Sequence, residues 1–268
     1  MPRIRFIGLP TDANSSFLKG PAKAPRLIRE MMHSDKGNPA TELGGVLGGT
    51  IEALDSGDLP LEGTAEDDAR IEQAVAAALQ AGDIPISIGG DHAVTYPILK
   101  AVAAHHGPVS ILHVDAHPDL YDELLGNRRS HATPFARIME DGLASRLVQV
   151  GIRTLNDHQR EQAERFGVEI VPMRGFEVSA VPIPDGPLYI SIDLDGLDPA
   201  YAPGVSHHEP GGLSVRELMD LLARVSGPVI GADLVEYNPD RDVHEMTCSV
   251  AAKLVKELAA IASRTGRE

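Results

Sequence analysis

Between residues 113 and 119 the chain reads His113-Val114-Asp115-Ala116-His117-Pro118-Asp119, which places Asp115, His117 and Asp119 at alternate positions. In an extended segment alternate side chains leave the same face, so these three groups can converge on one point. Carboxylates and imidazoles are hard or borderline ligands, and grouped in this way their natural chemistry is metal binding. The preceding run Val109-Ser110-Ile111-Leu112-His113-Val114 is apolar and β-branched and follows a Gly107-Pro108 break. It predicts a short buried strand that carries the ligands at its carboxyl end. A single aspartate after a strand is by default a turn former or helix cap, so the weight falls on whether other strands end the same way.

They do. Gly89-Gly90-Asp91-His92 follows a predicted strand ending at Ile88, Asp193-Leu194-Asp195 follows Tyr189–Ile192, and Asp233 and Glu236 follow Val229–Ala232. In an open parallel sheet the ligand crevice lies outside the carboxyl ends of the strands, so four strands deliver acids or histidines to one edge. Asp115, Asp119, Asp193 and Asp195 cannot all stay ionised at close range without cations, because like charges raise one another's pKa. Two divalent ions balance four carboxylates, with His92 and His117 as neutral imidazole ligands, one on each ion. Oxygen-rich ligation without thiolate favours Mn²⁺ over Zn²⁺. A two-metal centre of this kind acidifies a bridging water and yields hydroxide at neutral pH. Asp91 and Asp198 are read as hydrogen-bonding supports that orient the ligands.

The elements that must position these groups alternate along the chain. Strands are predicted at Arg3–Leu9, Ile84–Ile88, Val109–Val114, Leu147–Gly151, Val168–Val171, Leu188–Ile192 and Pro228–Ala232. Helices are predicted at Ala65–Ala81, Val94–His105, Pro134–Asp141, Asn156–Phe166, Val215–Val225 and from Met246 to Ser263, with Ser214 and Glu217 forming a capping box. That order implies an α/β fold. With 268 residues and 43% hydrophobic content the chain can bury a large core, and no composition shift marks a boundary, so residues 1–268 are expected to form one domain. No run is long enough to span a membrane, and no apolar signal segment opens the chain. Cys248, the one cysteine, excludes an internal disulfide and reads as a small buried side chain. A formal net charge of -15 argues against nucleic acid and suits a cationic ligand.

Several motifs together resemble the arginase/agmatinase (ureohydrolase) family: Gly-Gly-Asp-His at 89–92, the 113–119 stretch, Ser130-His131, Ser-x-Asp-x-Asp-x-x-Asp-Pro at 191–199 and Val-Glu-x-Asn-Pro at 235–239. Within it the chain looks most similar to plant-type arginases, through Asn14-Ser15-Ser16-Phe17-Leu18, the 204–212 loop with His207, His208 and Glu209, and Met246-Thr247 leading into Ala251–Val255. The likeness runs from about Asn14 to Ala260. It implies a three-layer α/β/α fold with a mainly parallel central sheet and a centre of two Mn²⁺ per chain. It also implies hydrolysis of L-arginine to ornithine and urea, with agmatine or another small-molecule guanidino compound as the alternative substrate. By position, His92, Asp115, Asp119 and Asp193 would hold one ion, and His117, Asp115, Asp193 and Asp195 the other. His131 falls on the family's proton-shuttle histidine and Glu236 on the carboxylate that receives the guanidinium, with Asp119 relaying the nucleophile's proton. A homo-oligomer, trimer or hexamer, is expected. The organelle-targeting extension of many plant-type members is not seen, which suggests a cytoplasmic location.

Departures and leftovers bear on specificity. Animal-type arginases have an asparagine for the substrate carboxylate two positions after the aspartate matching Asp119, where this chain has Tyr121. The loop Gly126-Asn127-Arg128-Arg129 lies between Asp119 and His131, so Asn127 is expected to donate to an α-carboxylate, with either arginine adding charge. His113 reads as a core or supporting group, His105 and His106 as solvated, and His207 and His208 as loop residues at the site's edge. His244 has no assignment.

Overall fold

Long apolar runs become strands here because both faces of the sheet are covered. In the computed structural model, which describes residues 3–265, the strands are Arg3–Leu9 (β1), Ala53–Asp58 (β2), Asp83–Gly89 (β3), Val109–Val114 (β4), Ala144–Ile152 (β5), Glu169–Pro172 (β6), Leu188–Asp193 (β7) and Val229–Val235 (β8). They form one eight-stranded sheet in the order β2-β1-β3-β8-β7-β4-β5-β6, and every pairing is parallel. Residues 1–2 and 266–268 of the expected 1–268 unit lie outside the described residues.

The helices are Ala24–Met32 (α1), Asp67–Gln80 (α2), Thr95–His106 (α3), Pro134–Glu140 (α4), Asp157–Phe166 (α5), Val215–Ala223 (α6) and Met246–Thr265 (α7). Ile28 of α1, Leu218 and Leu222 of α6 and Leu254 of α7 pack on one face of the sheet. Ile71 and Val75 of α2, Ile98 of α3, Phe135 of α4 and Ala163 of α5 pack on the other. The result is the expected three layers. Every residue of β4 and β7 is buried, as a strand covered on both sides requires. The capping box stands at the start of α6, with Ser214 and Glu217 each accepting the other's backbone N–H.

Two elements were not expected. β2 is an exposed edge strand, Ala-Leu-Asp-Ser-Gly-Asp, with neither an apolar run nor an alternation to announce it. α1 has a helical stripe of buried Ala24, Ile28, Met31 and Met32, but Pro21 and Pro25 make its sequence read as loop. Pro25 is tolerated because it sits in the first turn, where its missing N–H costs no hydrogen bond.

For the site, strand order matters most. β7 and β8 come late in the chain yet insert between β3 and β4. The carboxyl ends of β3, β8, β7 and β4 therefore lie side by side, although their residues are spread over more than half the sequence.

Candidate active site

Three backbones meet at the top of β3. Gly90 permits this, since a Cβ there would lie 1.7 Å from the carbonyl oxygen of Thr11. The N–H of Asp91 donates to that oxygen over 2.9 Å, and the N–H of Glu236 donates to Gly90 O over 2.9 Å. Asp119 and Glu236 both have positive φ, 51° and 64°, which is uncommon for residues with a side chain. Both belong to the site, where such strain tends to collect.

The side chains divide about two imidazoles. Nδ1 of His92 lies 3.2 Å from Asp115 Oδ2, 3.1 Å from Asp119 Oδ2 and 3.2 Å from Asp193 Oδ2. Nδ1 of His117 lies 3.1 Å from Asp195 Oδ2 and 3.4 Å from Asp115 Oδ1. Asp115 thus turns one oxygen to each histidine. Asp193 Oδ1 accepts from the N–H of Asp195 over 2.8 Å, which leaves Oδ2 for the cluster.

Hydrogen bonding assigns the tautomer of His92. Ser191 Oγ donates to Asp233 Oδ1 over 2.6 Å, so its single hydrogen is spent there. His92 Nε2, 3.0 Å from the same Oγ, must therefore be the donor. Asp233 is held in turn by Tyr189 Oη and Thr95 Oγ1, which donate to Oδ2 over 2.8 and 2.9 Å. Nδ1 of His92 therefore carries a lone pair whenever the ring is neutral, and it is buried. Facing three carboxylate oxygens, it must hold either a proton, since those carboxylates favour the cation against burial, or a divalent cation, to which the neutral ring offers its lone pair. The donor set fits a metal ion on this ground.

The carboxylates carry the same message. Burial, then Asp195 and Asp115, push the pKa of Asp193 well above its ordinary range. Burial and Asp115 raise that of Asp119 to about 6. Bringing these groups together without positive charge leaves some of them unable to ionise, and two cations remove the conflict. His113 has a different part. Gln149 Nε2 donates to its Nδ1 over 3.0 Å, so the ring's hydrogen is on Nε2, which donates to Asp115 Oδ2 over 2.9 Å. Burial pushes His113 down to about 4, and the neutral ring braces Asp115.

Beside this cluster lies a cavity of about 500 Å³, lined among others by Asp119, Tyr121, His131, Gln159, His207 and Glu236. Nδ1 of His131 is 2.8 Å from Glu236 Oε1, which also accepts from the N–H of His92 over 3.0 Å. Although burial works against its charge, the Glu236 carboxylate raises His131 to about 9. Asp91 orients the neighbouring loop, accepting from the N–H groups of Asn14 and Ala93 over 2.8 and 3.2 Å.

Some expectations need correction. Asn127 does not line the cavity, and its Nδ2 donates to Asn14 Oδ1 over 3.1 Å. Arg128 pairs with Asp122 and Glu140, and Arg129 with Asp68. The cavity wall at that end is made instead by Tyr121, Asn156 and Gln159, with Asn156 Nδ2 donating to Tyr121 Oη over 2.6 Å. Asp198 supports no ligand. It accepts from the N–H groups of Ala200, Gly211 and Gly212 and shapes the loop bearing His207. Asp233, expected at the end of its strand, lies inside β8 and acts through Ser191. Ser16 and Ser191 stand in the motifs quoted above without an assigned role, and Gln159 was not picked out by sequence. Cys248 is buried as expected, with its thiol pushed up to about 11 by burial.

A profile described as "Arginase family" matches residues 2–260. Mitochondrial arginase 1 of Arabidopsis thaliana is 48% identical, over 97% of this chain and 81% of the plant protein. Mitochondrial agmatinase of Gallus gallus is 36% identical, over 96% of this chain and 80% of that protein. Among solved structures, an arginase from Medicago truncatula superposes with a TM-score of 0.89 at 42% identity, covering 97% of this chain and 87% of that one. These names overturn the expected cytoplasmic location, since the similar sequences are named for an organelle.

Proposed function

The chain belongs to the arginase family, and we propose that it cleaves the guanidino group of L-arginine to L-ornithine and urea with two manganese ions bound. It is a metal-dependent hydrolase acting on guanidino C–N bonds. One observation carries the reading of the centre: in a chain 48% identical to an arginase over nearly its whole length, Nδ1 of the buried His92 faces three carboxylate oxygens at 3.1–3.2 Å.

His92, Asp115, Asp119 and Asp193 would hold one ion, and His117, Asp115, Asp193 and Asp195 the other. Oxygen-rich ligation supports manganese. When bound, such a pair makes water acidic enough to supply hydroxide near neutral pH. The protein's own groups do the rest. Glu236 accepts N–H groups of the planar guanidinium and fixes its carbon over the cluster, converting an encounter into an oriented complex. Asp119 lies between cluster and cavity, placed to take a proton from the attacking water. His131 stands against Glu236 and supplies the proton that the departing amine needs. The electron pair of the broken C–N bond stays on the amine nitrogen.

The other end of the substrate meets neutral groups. Tyr121, Asn156 and Gln159 face the cavity, and the two nearby arginines are engaged by carboxylates. An amide both donates and accepts, so Gln159 suits an amino-acid head that carries ammonium and carboxylate together. Agmatine, which lacks the carboxylate, leaves half of that capacity unused. The greater identity to an arginase than to an agmatinase supports the same choice. A trimeric or hexameric assembly completes the reading, on the strength of the family resemblance.

The test is product analysis with manganese-loaded protein. L-arginine should yield urea and ornithine in equal amounts. Urea from agmatine or guanidinobutyrate, with none from arginine, would replace the substrate and keep the ureohydrolase chemistry.

A further inference from the structure

Ser16 lies on the loop after β1, exposed at the edge of the cavity. Its backbone N–H is 3.2 Å and its hydroxyl oxygen 2.8 Å from Nε2 of His131. The other nitrogen of that ring faces Glu236. His131 is thus held at both ends, with the guanidinium anchor on one side and Ser16 on the other.

The two Ser16 groups make different demands. A backbone N–H only donates, so while it points at Nε2 that nitrogen must offer a lone pair. The one hydrogen of the neutral ring is then on Nδ1, donated to Glu236. Protonated His131 carries hydrogen on both nitrogens, and the Ser16 N–H then meets another N–H. The hydroxyl can answer either state: it donates to the lone pair of the neutral ring and accepts from the N–H of the cation.

We propose that Ser16 is a positioning residue of this enzyme, whose hydroxyl reverses between donor and acceptor and so lets His131 alternate between its neutral and protonated forms. The inference rests on the reading of His131 as the proton donor. In the step concerned, the protonated ring gives its Nε2 proton to the amine nitrogen, which keeps the electron pair of the broken C–N bond. The neutral ring keeps its other hydrogen on Nδ1, donated to Glu236, and Ser16 Oγ turns to donate to the Nε2 lone pair. Nε2 regains a proton from the attacking water, and Ser16 Oγ returns to accepting.

The surroundings agree with this. His131 is faced by Glu236 and by His207, whose ring centre is 5.5 Å away, with the charges of Asp119 and Asp91 close by. Together the carboxylates overcome burial and hold the cation up to about 9, so near neutrality the hydroxyl is in its accepting state. The loop is fixed in place by Asp91, whose Oδ2 accepts from the N–H of Asn14 over 2.8 Å and from Ser15 Oγ over 3.5 Å.

Ser16→Ala removes the hydroxyl and keeps the backbone N–H, while Ser16→Thr restores a hydroxyl. Two readouts apply: kcat and KM against pH in manganese-loaded enzyme, and ¹⁵N resonances of the His131 ring against pH with diamagnetic Mg²⁺ in place of Mn²⁺. In Ser16→Ala the His131 midpoint should fall by about one pH unit or more, the scale of one hydrogen bond to a charged group. The alkaline limb of kcat should move down with it, KM should change little, and Ser16→Thr should reverse both shifts. A Ser16→Ala protein whose His131 midpoint and kcat profile match wild type overturns the proposal. Wild-type protein that releases no urea from any guanidino compound would count against the ureohydrolase reading instead, and the ¹⁵N midpoint would still decide the part played by Ser16.

Discussion

Nδ1 of His131 donates to Oε1 of Glu236 over 2.8 Å, so the group that supplies a proton and the group that receives the substrate's charge are in direct contact. A change in the charge of Glu236 therefore reaches the His131 proton as well as the substrate. Glu236→Gln keeps the shape and removes the charge. It should raise KM for arginine about ten- to a hundredfold, the worth of a hydrogen bond to a charged group. It should also bring the alkaline limb of the kcat profile to lower pH, because the carboxylate that holds the His131 proton is gone. Initial rates across a pH series check both, and an unchanged KM would remove Glu236 from substrate binding.

The pH dependence of the wild type follows from the same contact. His131 is raised from the ordinary histidine value to about 9, with burial opposing and Glu236 prevailing. A raised pKa means that the protonated, donating form persists up to that value and is lost above it. In the metal-loaded enzyme the nearby cations oppose this, so kcat should hold steady around neutrality and fall about tenfold per unit along an alkaline limb at or below about 9. His131→Ala should abolish this limb and lower kcat about ten- to a thousandfold with KM little changed, within the range for general acid catalysis. Wild-type turnover in the variant would exclude His131 from the mechanism.

Metal content tests the partition about His92 and His117. Saturated protein should hold about two Mn²⁺ per chain, the number that balances the four aspartates of the cluster. Asp193→Ala, which opens both half-sites, should lose activity while its circular dichroism stays native. Elemental analysis showing one tight Zn²⁺ with full activity would contradict the two-metal reading.

Support behind the ligands has its own signature. Ser191→Ala removes the acceptor for His92 Nε2 and cuts the link to Asp233. Losses of this kind cost about ten- to a hundredfold in metal affinity. Titration of metal-free protein with Mn²⁺ should show that weakening, with kcat recovered at high metal. Equal affinity in both proteins would mean that Ser191 does not set the tautomer of His92.

How much of this could be read from the chain depended on distance along it. The 113–119 stretch was legible because a strand followed by alternating ligands is a local pattern. Its convergence with His92, Asp193 and Glu236 was legible too, since the strand-end rule needs no knowledge of strand order. What lay beyond reach was register and loop path. Ser191 and Asp233 are direct partners across β7 and β8, a relation that no periodicity within either strand reveals. Ser16 meets His131 across 115 residues. Nearness in sequence misled in the opposite sense: Asn127, Arg128 and Arg129 precede His131 closely, yet carboxylates or amides elsewhere engage all three. α1 had its buried stripe all along, hidden behind two prolines.

The most direct measurement is the ratio of kcat/KM for L-arginine to that for agmatine, taken on manganese-loaded wild-type protein and on Gln159→Leu. The account predicts a ratio well above one in the wild type, falling in Gln159→Leu as the buried amide stops reading the amino-acid head. A wild-type ratio below one would contradict the assignment of arginine as the substrate.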